Sequence, residues 1–178
     1  MCIRDSYYYV NKSSLPKFYG GFNTSLSWKG FDLSAIFAYS IGGYIYNRDI
    51  TMILHNGSLE GRDWSTEILK RWTPENRYTD VPALSTTSNN WNSASTRFLQ
   101  NNSYMRLKNL TLSYDLPKQW ISKLALSSVQ VFVQGDNLFT IHRNQGLDPE
   151  QGITGITYYR YPAMRTISGG INLSFYHY

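Results

Sequence analysis

Five stretches of this chain alternate apolar and polar residues with a period of two, and that pattern restricts the fold more than any other feature. The first, residues 18–28, puts Phe18, Gly20, Phe22, Thr24, Leu26 and Trp28 on one face, with Tyr19, Gly21, Asn23, Ser25 and Ser27 on the other. A tight Lys29-Gly30 turn leads into a second strand over 31–46, with Phe31, Leu33, Ala35, Phe37, Tyr39 and Ile41 opposite Asp32, Ser34 and Ser40. The third is expected at 104–114, its apolar face settling into Leu110, Leu112 and Tyr114. Arg106 and Lys108 share that parity, so they are expected to lie above any lipid. The fourth, 128–139, sets Val129, Val131 and Val133 against Gln130, Phe132 and Gln134. The fifth, 166–176, sets Ile167, Ile171, Leu173 and Phe175 against Thr166, Ser168, Asn172 and Ser174.

The connections alternate as well: tight at 29–30, long at 47–96, fairly short at 115–127, long at 140–165. Within the first long one the spacing predicts a helix over 64–72, capped by Asp63 and stopped by Pro74. Trp64, Ile68, Leu69 and Trp72 would share its face and pack within the loop. A short helical turn is expected in 118–126. Short turns at one end of a meander and long loops at the other are the layout of outer-membrane barrels, with short turns periplasmic and long loops extracellular. The predicted fold is therefore all-β, an antiparallel meander of about five transmembrane strands. Each is long enough, since ~9–11 tilted residues cross the hydrocarbon. Five strands cannot close a membrane barrel, for which about eight is the minimum. An open edge in lipid leaves backbone groups unpaired at several kcal/mol each, so the strands are expected to belong to a larger barrel.

Composition agrees without deciding. Charged residues are 16% of the chain and aromatics also 16%, including 15 Tyr, while mean hydropathy is only −0.40. This suits strands with one oily and one wet face, but also a soluble carbohydrate-binding β-sandwich, which stays open as a rival. In a sandwich Phe22, Leu26, Phe37 and Leu173 would be buried between two sheets; in a barrel they would form one exposed band. The net charge of +5 comes from scattered lysines and arginines and predicts no nucleic-acid partner. Cys2, the single cysteine, excludes an internal disulfide. His55, His142 and His177 lack metal-ligand spacing and read as exposed loop or terminal histidines. Asp148-Pro149-Glu150 offers too few oxygens for calcium and reads as a rigid turn. No catalytic constellation, metal site or cofactor site is expected, so the chain is read as not an enzyme. Residues 1–6 (MCIRDS) show neither alternation nor the apolar run of a signal peptide, and are expected to be a non-native or disordered start before a segment spanning 7–178.

The last strand carries Ser168, Gly170, Leu173 and Phe175, an arrangement that resembles the C-terminal assembly signal of outer-membrane proteins and implies recognition by the barrel-assembly machinery. Tyr176-His177-Tyr178 extends past the usual final aromatic. Further segments follow in order: Gly20-Gly21-Phe22, Trp28-Lys29-Gly30-Phe31-Asp32-Leu33-Ser34, Arg71-Trp72-Thr73-Pro74-Glu75-Asn76, Ser103 to Tyr114 with Leu116-Pro117, Gly135-Asp136-Asn137-Leu138-Phe139, Gly146-Leu147-Asp148-Pro149-Glu150 and Tyr161-Pro162. Over about residues 16–175 the chain resembles the C-terminal third of SusC/RagA-type TonB-linked outer-membrane receptors. The resemblance implies the last strands of a 22-stranded barrel with a plugged lumen. It also implies import of oligosaccharides or peptides, a SusD-like surface lipoprotein over the mouth, and energy from TonB-ExbB-ExbD acting on a plug outside this segment. A siderophore or vitamin receptor is the other alternative.

Three residue groups follow. Trp28, Phe31 and Tyr114 are expected as a membrane-interface girdle against outer-membrane lipid. Trp91, Tyr158, Tyr159, Arg160 and Tyr161 are the candidate substrate contacts, because aromatic faces stack on sugar rings while polar neighbours fix orientation. Ser168, Gly170, Leu173 and Phe175 are the candidate assembly signal.

Overall fold

The computed structural model describes residues 9–55, 61–85, 93–121, 126–144, 146, 148–150 and 154–175. The start at 1–6, Trp91 and Tyr176-His177-Tyr178 lie outside them. In chain order the strands are β1 (Pro16–Trp28), β2 (Phe31–Gly42), β3 (Tyr44–Asn47), β4 (Leu99–Asn101), β5 (Tyr104–Asp115), β6 (Leu126–His142), β7 (Ile156–Thr157) and β8 (Thr166–Phe175). Two short helices, α1 (Arg48–Ile53) and α2 (Lys118–Ile121), fall between them. The chain separates into two compact units: Met1–Leu15, Gly43–Asn101 and Gln151–Arg160 form one, and Pro16–Gly42, Asn102–Glu150 and Tyr161–Tyr178 form the other.

The second unit is one antiparallel sheet, ordered β1-β2-β5-β6-β8. Its β1–β2 hairpin turns on Lys29 (φ 47°) and Gly30 (φ 86°), the left-handed pair that a two-residue hairpin loop requires. The Gly30 carbonyl accepts from the Asp115 amide at 2.8 Å, tying the hairpin tip to the end of β5. Register then decides the faces. Phe22 pairs with Phe37, Leu26 with Leu33, and Trp28 with Phe31. Phe31 continues to Tyr114 and Leu33 to Leu112. Tyr114 and Leu112 continue to Val131 and Val133, and Val129 and Val131 to Leu173 and Ile171. Every one of these lies on a single face. Cross-strand rings lock it, with Phe22–Phe37 stacked at 4.7 Å and Phe31–Tyr114 at 4.4 Å, pairs worth about 0.5–1.5 kcal/mol each beyond burial. The opposite face runs Asn23, Ser25, Ser34, Thr111, Gln134, Ser168 and Asn172. Phe22, Leu26 and Leu173 are exposed on the apolar face, and among the described residues of this unit there is one sheet, so the sandwich rival is set aside.

One expectation about this sheet is corrected. Arg106 and Lys108 do not share the face of Leu110, because β5 bulges at Lys108. Asn109 pairs with Ile36, but the next pair is Leu107 with Phe37, so one residue is skipped. On β6 the same irregularity skips Asn137 and Leu138, with Asn137 at φ 53°. An extra residue reverses the parity beyond it. Met105, Leu107, Phe139 and Ile141 therefore continue the apolar face, and Arg106 joins Ala38 and Thr140 on the polar one.

The first unit holds a three-stranded sheet, β4-β3-β7, with β3 antiparallel to β4 and parallel to β7. The second strand had been expected to run to 46; it stops at Gly42, where Gly42 (φ 83°) and Gly43 (φ 76°) turn the backbone out of the strand conformation. Ile45, Leu54, Ile68, Val81 and Phe98 form the core, with Phe98 edge-on to Tyr46 at 6.2 Å. Over 64–72 the chain forms only a five-residue 3₁₀ helix, Thr66–Lys70, capped by Ser65 and not by Asp63. Its three-residue turn does not collect Trp64, Ile68, Leu69 and Trp72 on one face, and Ile68 alone of them is buried, with Leu69 73% exposed. Asn76 caps this turn from below, its side-chain amide donating to the Lys70 and Arg71 carbonyls. His55 is also not an exposed histidine: it is 1% exposed, edge-on to Trp64 at 5.2 Å. Among the described residues no helix is long and apolar enough to cross a membrane.

The sheet predicts its own test. In a refolded receptor containing this segment, Val133→Arg on the apolar face should cost about 2–4 kcal/mol in a urea titration in lipid vesicles, whereas Gln134→Arg on the polar face should cost less than about 1. Equal losses would mean that neither face meets hydrocarbon.

Candidate functional site

On the polar face the bulge creates an ion cluster. Arg106, with its side chain 4% exposed, donates from Nε to Thr140 Oγ1 at 2.8 Å, from Nη1 to Glu150 Oε2 at 2.8 Å and from Nη2 to Asp148 Oδ1 at 2.5 Å. Lys108, the bulged residue, reaches both Glu150 oxygens at 2.6 and 2.5 Å. Asp148 accepts the Glu150 amide at 2.9 Å and the Ala163 amide at 2.6 Å. Asn102 donates to the Pro149 carbonyl at 2.9 Å. Asp148-Pro149-Glu150 is thus a turn pinned to the strand by the two cations whose position the sequence left awkward. Burial opposes ionisation of Asp148, but the Ala163 and Glu150 amides and the Arg106 guanidinium outweigh it and hold the carboxyl below its ordinary value.

A second cluster forms in the other unit from three distant segments. Asn47, wholly buried, accepts from the Ile50 amide and starts α1. That places Arg48 with its guanidinium carbon 4.8 Å above the Tyr158 ring. Asp49 Oδ1 accepts the Tyr159 amide at 3.0 Å and secures Tyr159 at φ 48°, a left-handed conformation uncommon for a bulky side chain. Arg62 Nη1 donates to Tyr159 Oη at 3.2 Å. The Tyr158 and Tyr159 rings meet at 4.3 Å, tilted by 52°, and remain 44% and 64% exposed. Beside them Thr157 is completely buried in β7, paired across from Asn47. No group of His, Cys, Asp and Glu among the described residues is arranged to hold a metal.

Of the five candidate substrate contacts, Tyr158 and Tyr159 come together here. Arg160 is exposed, Tyr161 is 99% exposed, and Trp91 is outside the described residues. Arg48, Asp49 and Arg62 were not singled out; they carry no local motif, and only the pairing of β3 with β7, 110 residues apart, reveals them. Trp28 and Phe31 are exposed and Tyr114 is half-buried, all at the hairpin end of the sheet on the apolar face. In β8, Leu173 and Phe175 lie on the apolar face, and Ser168 and Gly170 on the polar one. Gly170 has a packing reason of its own: a Cβ there would sit 2.8 Å from the Phe132 ring across the strand pair.

A sheet oily on one side, wet on the other, with an unpartnered edge at each end is wall from a transmembrane β-barrel. The sequence is 33% identical over 171 residues to TonB-dependent receptor P3 of Formosa agariphila and 30% identical over 173 residues to TonB-dependent receptor P26 of the same organism. It is 27% identical over 168 residues to TonB-dependent receptor SusC of Bacteroides thetaiotaomicron. Its fold superposes with a TM-score of 0.83, at 35% identity and over 93% of the chain, on the RagAB peptide transporter. The chain matches a segment of SusC/RagA-type TonB-dependent receptors. It covers 90–94% of itself in the sequence matches but only 16–17% of those relatives' length, and 18% of the transporter chain. No protein-family model matches the sequence.

The ion cluster should be felt as loop order. Asp148→Asn in the intact receptor should cost about 1–3 kcal/mol, because Arg106 stays buried with one carboxylate fewer. Glu150→Gln should cost less, since its side chain is 36% exposed. Because the folded Asp148 pKa is depressed, its contribution should be complete above the ordinary carboxylate value of 3.8 and decline as pH falls below it. Limited proteolysis of the 143–165 loop across pH checks both the size and the window.

Proposed function

We propose that this chain builds part of the wall and extracellular loops of a TonB-dependent importer of oligosaccharides or peptides in the outer membrane of a Gram-negative bacterium. The observation that carries this reading is the five-stranded register, which gathers Phe22, Leu26, Leu33, Leu112, Val131, Ile171 and Leu173 on one face and only polar or small residues on most of the other. The apolar face suits hydrocarbon, and the polar face suits a large aqueous lumen. Kinship with receptors named for TonB, and with a transporter named for peptides, supports energised import of cargo too large for simple pores. The plug that TonB-ExbB-ExbD would pull belongs to the rest of such a receptor. A SusD-like surface lipoprotein as lid is the partner that the SusC and RagAB relationship favours.

Within this reading Trp28, Phe31 and Tyr114 sit in the headgroup layer at the periplasmic end, where a ring with a polar edge is favoured. The free edge of β8, with Ser168, Gly170, Leu173 and Phe175, is the strand that the barrel-assembly machinery engages by edge pairing. Tyr158, Tyr159, Arg160, Tyr161 and Trp91 are the loop residues offered to cargo. The named relatives are receptors and transporters.

Deleting the receptor gene from its host should abolish growth on one class of oligosaccharide or peptide as sole carbon source. The intact gene should restore growth only when TonB is present, with the protein recovered in the outer-membrane fraction. Restoration without TonB, or recovery in the soluble fraction, would overturn the proposal.

A further inference from the structure

Resting on the import reading, we propose that Arg48, Arg62, Tyr158 and Tyr159 form a subsite for a carboxylated sugar, such as a uronate residue of an oligosaccharide. Two guanidiniums converge on one tyrosine pair, Arg48 over the Tyr158 ring and Arg62 on the Tyr159 hydroxyl. Neither is one of the ion-paired cations of the Arg106 cluster. Asp49, the nearby acid, is engaged with the Tyr159 amide. Arg62 makes one hydrogen bond to the phenol, which leaves other guanidinium donors for a planar bidentate acceptor, and a carboxylate has that shape. The Tyr159 ring, 64% exposed, offers an apolar face on which a pyranose can lie.

Two backbone groups beside the rings are already taken, the Tyr159 amide by Asp49 and the Gly155 carbonyl by the Tyr46 amide at 2.7 Å. The guanidiniums and the exposed ring are side-chain groups, and together they suit a sugar ring with an acidic substituent. Tyr159 is held at positive φ by Asp49, so its ring is set before any ligand arrives.

The test uses the full-length receptor in detergent micelles and isothermal titration with tetragalacturonate, the same oligomer with its carboxyls reduced to alcohols, and tetraglutamate. The unmodified receptor should bind tetragalacturonate at least about tenfold tighter than the reduced oligomer, as expected for charge-assisted contacts. The double variant Arg48→Gln, Arg62→Gln should lose that preference while keeping the heat-dependent gel mobility of a folded barrel. Arg62→Lys should restore part of it, because charge remains but the fork is lost. A preference below about threefold, an unchanged double variant, or tighter binding of tetraglutamate than of tetragalacturonate overturns the subsite. A receptor that imports neutral oligosaccharides or peptides in a TonB-dependent way, yet shows no carboxylate preference, sinks this inference alone. Failure of all TonB-dependent import removes the reading beneath it as well.

Discussion

The backbone hydrogen bonds of the five-stranded sheet govern everything else about this chain. In hydrocarbon no water can substitute for a missing partner, so each strand must be paired along its whole length. Between β1 and β8 the register supplies this from Phe18 opposite Ile41 through to Leu126 opposite Phe175. Only the outer edges of β1 and β8 have no partner within the sheet. That is why a single sheet of this kind can be a stable object: in a barrel it is closed by further strands, not by a second layer. Its side chains then have only to match the solvent on each side. Aromatic and β-branched residues do so outward, while Ser, Thr, Asn and Gln do so inward.

The bulge at Lys108 is where this regular wall gives way to the loops. Strict alternation would have carried Arg106 to the lipid side, where a charge costs about 2–4 kcal/mol at mid-depth. One extra residue in β5, matched by two in β6, turns it inward instead. Gly135 belongs to the same device, since a Cβ there would meet Leu138 Cδ2 at 2.7 Å. The inward Arg106 then meets Asp148 and Glu150, and the turn they belong to is fastened on both sides, by Ala163 ahead and Asn102 behind. Through Arg106 the end of β6 at Thr140 and the Asp148-Pro149-Glu150 turn are joined in one construction.

Alternation was legible in the sequence because facing in a strand is a local property with a fixed period. The Lys29-Gly30 turn was legible for the same reason, its two left-handed positions being written into two residues. The bulge was not, since a residue inserted into a ladder is defined by the partner strand 27 or more positions away, as Asn109 and Asp136 show. The small sheet was missed on similar grounds. Tyr44-Ile45-Tyr46 continues the pattern of β2 in composition, and only the paired glycines at 42 and 43 marked the break. The helix expected at 64–72 failed because apolar spacing was read without the shorter 3₁₀ repeat, and Ser65 offered a better cap than Asp63.

The tyrosine–arginine cluster shows the limit most clearly. Tyr158 and Tyr159 drew notice because aromatic residues are conspicuous, but their partners Arg48, Asp49 and Arg62 look like ordinary loop charges. They come together only when two residues of β7 pair in parallel with the end of β3, which brings the start of α1 beside the tyrosines. A parallel pair of that kind has no hairpin to announce it and needs a long connection. The wall of this protein is therefore encoded residue by residue, whereas its chemistry is assembled from loops that meet far along the chain. Variation in those loops can proceed without disturbing the alternation of the strands.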